Sequence, residues 1–134
     1  MTSCHEDAGV SVAVAASRRV AVVGSPNAGK TSVFNHLTGL RAKVGNYPGV
    51  TVGRSVGITK VDGVAIAVED LPGTYSLDPI SPDERVVTDL LTGELGGTEK
   101  PDAVLLIADV TTLRRSITLV AQVLRLDLPC LLVL

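Results

Sequence analysis

Cysteine is almost missing: Cys4 and Cys130 are the chain's two, too few for the disulfide framework that staples small secreted domains. A secretory signal is missing as well, since "MTSCHEDAGV" opens with acidic residues where a cationic n-region belongs. The expected compartment is reducing cytosol. Nor is there an excess of basic charge. Twelve Lys and Arg stand against fourteen Asp and Glu, for a formal net charge of -2, and no basic run gives a polyanion a landing site, so nucleic acid is not expected as a partner. Long apolar runs are also lacking. "AVLLIA" at 103–108 and "LPCLLVL" at 128–134 fall well short of the roughly 18 to 20 residues that cross a bilayer, and they read as buried strands.

What is present suffices for one domain with a core, at 134 residues and 46% hydrophobic. Residues 1–17 are small, polar and unpatterned, and read as a flexible tail. From Arg18 onward apolar strands alternate with helical patterns, which implies an α/β fold with a mostly parallel sheet flanked by helices. Strands are expected at Val20–Val23, Arg54–Lys60, Val64–Val68 and Ala103–Ala108. Asp62-Gly63 suits a type I′ turn that brings in one antiparallel strand. A first helix with Val33, Phe34 and Leu37 inward ends at Gly39. A second starts at Ser81-Pro82-Asp83-Glu84, with Ser81 and Glu84 as a capping box and Pro82 at the first helical position, and stops at Gly93. A third is expected to turn Leu113, Ile117, Val120 and Leu124 inward, with Arg114, Arg115, Gln122 and Arg125 outside.

Between the first strand and the first helix stands "GSPNAGKT", Gly24–Thr31, a match to GxxxxGK[ST]. In that pattern glycines let successive backbone N–H groups turn toward phosphate oxygens at the positive end of a helix. The expected cradle is Gly24, Ser25, Pro26, Asn27, Ala28, Gly29, Lys30, Thr31 and Ser32. Lys30 would act on the terminal phosphates as a point charge and the Thr31 hydroxyl as a Mg²⁺ ligand. The bland alternative, a glycine turn with a solvated lysine, fits the flanking strand and helix less well.

"DLPG" supplies Asp70, Leu71, Pro72 and Gly73. A period of two along Val64, Ile66 and Val68 carries Asp70 forward on the same face to the strand's carboxyl end, where open α/β sheets bind ligands. There Asp70 can hold Mg²⁺ through water, and the Gly73 amide can sense a γ-phosphate. Thr51, with Gly49 and Val50 in "NYPGVTV", lies in a loop whose hydroxyl could close over the metal.

Together "GSPNAGKTSVFNHLTG", "VGNYPGVTV", "DLPGTYSLDPISPDERV" and "ADVTTLRRSITLVAQVLRLDLP" resemble the amino-terminal G domain of the bacterial ferrous iron transport protein B family, over roughly residues 19–134. That resemblance implies a P-loop NTPase of Ras-like type, a GTPase using GTP/GDP, Mg²⁺ and K⁺. It implies slow, Mg²⁺-dependent, K⁺-stimulated hydrolysis with Lys30, Thr51 and Asn27 in catalytic roles; Thr31, Thr51 and Asp70 would serve Mg²⁺, and Asn27 would bind K⁺. Thr51 would belong to switch I, and Asp70 to about Val86 would be switch II. Thr74 stands where Ras-like proteins often carry a water-orienting glutamine.

The implied role is a switch regulating Fe²⁺ uptake, at the cytoplasmic face of the bacterial inner membrane. Its implied partners are guanine nucleotide, its own helical and membrane domains, and Fe²⁺ as transported ion. Ser25 and Gly53 depart from common family residues without removing a phosphate or metal contact. The guanine-reading loop and the last strand and helix would fall beyond Leu134, so 18–134 reads as a partial G domain. Two alternatives remain: a soluble G protein of ribosome assembly or tRNA modification, and a fragment without function. Cys4 and His5, beside Glu6 and Asp7, make a weak metal site; Cys130 reads as a buried strand residue, His36 as exposed, and Arg114 and Arg115 as a solvated face.

Overall fold

The computed structural model describes residues 18–26, 28–78 and 81–134. Six strands form one sheet in the order β2-β3-β4-β1-β5-β6. They are β1 Arg18–Gly24, β2 Ala42–Asn46, β3 Gly53–Val61, β4 Val64–Asp70, β5 Ala103–Ile107 and β6 Cys130–Val133. β1 pairs in parallel with β4 and β5, and β5 with β6, while β3 alone runs against its neighbours. The type I′ turn is in place, with φ of 51° at Asp62 and 78° at Gly63.

Among the described residues three α-helices cover the sheet: α1 Lys30–Thr38, α2 Pro82–Thr92 and α3 Leu113–Leu124. The capping box of Ser81 and Glu84 opens α2 with Pro82 in its first turn, and left-handed Gly39 and Gly93 end α1 and α2. Alternation along the strands makes two cores. Ala21, Val23, Val104 and Leu106 pack with Val87, Leu90, Leu119 and Val123 on the side of α2 and α3. Val22, Val68 and Ile107 pack with Phe34 of α1 on the other.

Two expectations need correction, and one strand is additional to them. β2 was not foreseen, because "AKVGN" has no buried face: all five residues are exposed, and the backbone ladder to β3 holds them. Leu37 is exposed; Thr38 takes the inward place, its hydroxyl donating to the Phe34 carbonyl. In α3 the buried residues are Ser116, Leu119 and Val123 with Val120 partly covered, while Leu113, Ile117 and Leu124 face outward. That helix is apolar on two adjoining stripes, and periodicity cannot choose between them. Asp109 opens the preceding turn by accepting from the Thr111 amide and hydroxyl, which holds its carboxyl below the usual range.

Candidate functional site

Strand register builds the site. Val22 lies beside Asp70 in the parallel β1–β4 ladder, so the end of β4 delivers its carboxylate next to the point where β1 becomes the phosphate loop. A side chain at Gly24 would meet the Ile107 carbonyl oxygen at 2.6 Å, so the glycine there serves the close passage of β5. Gly29, with φ of 89°, is the left-handed turn that starts α1.

On the first turn of α1, Lys30 and Thr31 converge on Asp70. Lys30 Nζ donates to Asp70 Oδ1 at 2.7 Å and Thr31 Oγ1 donates to Asp70 Oδ2 at 3.1 Å. The Lys30 and Asp70 side chains are only 10% and 12% exposed, so little water screens the pair. Beside them Pro26, Gly29, Lys30, Thr31, Ser32 and Gly73 line an open cleft. A Cβ at Gly73 would lie 2.9 Å from both N and Cα of Pro26, so "DLPG" rests directly on the phosphate loop. The Thr74 amide closes this contact by donating to the Gly24 carbonyl at 2.9 Å.

The remaining candidate residues are distributed as follows. Ser25 is buried with its Oγ 3.5 Å from Ser116 Oγ, and Leu71 is buried in the core, so neither side chain faces the cleft. Gly49, Val50 and Thr51 are exposed in a turn whose ends are tied by the Tyr47 amide donating to the Val52 carbonyl. Among the described residues no hydrogen bond joins Thr51 to the Asp70 cluster. Asn27 lies outside the described residues, as do Cys4 and His5. His36 is exposed, and Cys130 is half-buried, its thiol pushed up by that burial.

Two groupings escaped the sequence reading. Glu69, one position from Asp70 and on the opposite face, is buried and accepts from the Tyr47 hydroxyl and from Arg19 at 3.3 Å. Arg54 Nε also lies 3.3 Å from Glu69, too poorly aligned for a hydrogen bond, and its guanidinium stands over the Tyr47 ring. Burial, then the Glu69 charge, raises the Tyr47 hydroxyl far above its ordinary pKa. Strand alternation carried the signal: a carboxylate at a core-facing position demands cations.

The second grouping joins α3 to the segment after Gly73. Gln122 Oε1 accepts from the Leu77 amide at 2.6 Å and the Ser76 hydroxyl at 3.2 Å, and Gln122 Nε2 donates to Asp78 at 3.1 Å. Arg115 lies 4.5 Å over the Tyr75 ring. Gln122 and Arg115, expected on a free outer face, therefore hold a loop.

The chain matches the family model "Ferrous iron transport protein B" over residues 18–134. It is 42% identical over 116 residues to an Fe(2+) transport protein A/Fe(2+) transporter FeoB fusion protein of Porphyromonas gingivalis, covering 87% of this chain and 13% of that protein. The crystal structure of the G domain of the T. maritima FeoB iron transporter superposes with a TM-score of 0.76 at 41% identity, covering 86% of this chain and 69% of that one. The cytosolic domain of the same transporter in a GDP form gives 0.77 at 42% identity, over 86% of this chain and 43% of that one. The chain thus spans a small part of the curated relative's length. On this match it belongs to the ferrous iron transport protein B (FeoB) family, within the amino-terminal G domain.

Proposed function

We propose that the chain is the GTP-binding and GTP-hydrolysing switch of a ferrous iron transporter, regulating Fe²⁺ uptake from the cytoplasmic face of a bacterial membrane. The observation that carries this reading is the convergence of Lys30 and Thr31 on Asp70 at the mouth of an open cleft. A hydroxyl and a carboxylate brought together beside a lysine are the hard oxygen donors and the cation that Mg²⁺ and phosphate require. A relative's GDP-bound form favours guanine as the base. The helical and membrane domains of the family would be the partners. Among the described residues no helix is long and apolar enough to cross a membrane.

On nucleotide binding, Lys30 would exchange Asp70 for the terminal phosphates, and the amides at the start of α1 would take further phosphate oxygens. Mg²⁺ would be held by Thr31, by Asp70 through water and by Thr51, and when bound it offsets phosphate charge. K⁺ at Asn27 would add positive charge at the phosphoryl group. Water would attack the γ-phosphorus as its bond to the β–γ bridging oxygen breaks, giving GDP, inorganic phosphate and a proton released to solvent, with Lys30 and the loop amides stabilising the charge of the transition state. Thr74 does not orient that water: it is buried, and its hydroxyl sits between the Ser76 carbonyl at 2.6 Å and Glu84 at 3.1 Å. On this reading hydrolysis would be slow, since no other side chain is assigned to orient the water.

The test is calorimetric titration with non-hydrolysable GTP and ATP analogues plus Mg²⁺, in K⁺ and then in Na⁺. Binding of the GTP analogue alone, tighter in K⁺ and abolished by Lys30→Ala with Asp70→Asn, is expected. Equal binding of both analogues, or binding that survives the double change, refutes the reading.

A further inference from the structure

The contacts between α3 and the loop after Gly73 lie outside the phosphate site and have no role in the chemistry above. They bear on one segment. Thr74 is fastened to the phosphate loop through the Gly24 carbonyl. Leu77 is fastened to α2, its carbonyl accepting from the Thr88 hydroxyl at 2.8 Å. On the remaining side Gln122 holds three successive residues, Ser76, Leu77 and Asp78, and Arg115 covers Tyr75. The Asp78 amide donates to Ser76 Oγ at 3.0 Å, so the Ser76 hydroxyl relays the hold to the next residue.

The same structure has Asp70 gripping both Lys30 and Thr31, the groups that phosphate and Mg²⁺ would otherwise claim. Gly73 is meanwhile pressed against Pro26. Asp70 and Gly73 thus both bear directly on the phosphate loop, one on each side of residues 71–72.

We propose that Gln122 is a positioning residue that latches residues 76–78 in this arrangement, and so sets the preference between GDP and GTP. The inference rests on the GTP-switch reading and deepens it. A diphosphate leaves the latch closed. A triphosphate draws Gly73 toward its terminal phosphate and opens the latch, so the Gln122 contacts weaken triphosphate binding selectively. The amide group suits the task because one side chain offers both an acceptor for Leu77 and Ser76 and a donor for Asp78.

The experiment titrates the natural polypeptide that carries these residues with GDP and with a non-hydrolysable GTP analogue, each with Mg²⁺. Gln122→Ala is expected to tighten the triphosphate analogue about tenfold relative to GDP. The paired change Gln122→Glu with Asp78→Asn re-forms all three bonds with the last one reversed in polarity, and is expected to return the ratio to the parent value. A ratio that stays within about twofold of the parent in Gln122→Ala, or affinities that shift in parallel, overturns the latch. A merely structural Gln122 would give the parallel shift together with a lower melting temperature. A parent that binds neither nucleotide overturns the GTP-switch reading itself, and the latch with it.

Discussion

Changing Asp70 to Asn keeps the shape of the side chain and removes its charge. Coulomb attraction across 2.7 Å is worth roughly 6 kcal/mol gross at an effective dielectric near 20. Desolvation of two groups that are nearly nine-tenths buried cancels much of it, and removing one partner of such a pair typically costs about 3 to 5 kcal/mol. The amide oxygen still accepts from Lys30, which returns about 1 to 2 kcal/mol. The expected loss is therefore about 2 to 3 kcal/mol, or roughly 6 to 12 °C in melting temperature for a domain of this size. Thermal unfolding by circular dichroism without nucleotide measures it. The cycle closed with Lys30→Met and the double variant should give a coupling of about 2 kcal/mol. Because the pair is buried, raising salt should change this coupling little. If Lys30 takes a phosphate in place of the carboxylate, as proposed, guanine nucleotide should close part of the gap. A shift under about 2 °C, or a coupling within about 0.5 kcal/mol of zero, would refute the claim that this contact holds the nucleotide-free site together.

Gly73→Ala drives a methyl to within 2.9 Å of the Pro26 backbone; we expect a loss of about 1 to 3 kcal/mol in stability and weakened nucleotide binding, seen by melting and calorimetry together. Leu119→Ala should cost about 2 to 5 kcal/mol and Ile117→Ala less than about 1, since the two are 1% and 57% exposed; equal costs in denaturant titrations would mean α3 is turned the other way. Tyr47 has a folded-state pKa raised by burial and by Glu69, so its stabilising contribution is fully present below the ordinary value near pH 10 and is lost as pH rises above it. Tyr47→Phe should flatten that alkaline decline in melting temperature, and an unchanged slope would remove Tyr47 as its cause.

How much was legible in the sequence follows from the range of the forces involved. The turn at Asp62-Gly63, the capping box at Ser81 and the glycine stops at Gly39 and Gly93 were readable because each is decided within a few residues by backbone sterics or a local hydrogen bond. The place of Asp70 was readable for a related reason: a period of two fixes its face, and β4 was recognisable from its own residues. Leu37 and the Leu113–Ile117 stripe were misread because their environment comes from elsewhere in the chain. Only the contact of α3 with the sheet and with Ser25 decides which apolar stripe is buried and why a serine stands at its centre.

The sequence by itself therefore determined the phosphate-loop pattern, the strand that delivers Asp70, and the family. Tertiary structure alone decided that Lys30 and Thr31 share one carboxylate across a separation of about forty residues. It also decided that Glu69 gathers Tyr47, Arg19 and Arg54, and that Gln122 reaches back to residues 76–78. The physical reason is common to all three. A polar side chain finds its partner only after the sheet has set strand register, and no local propensity encodes a contact between residues brought together by folding.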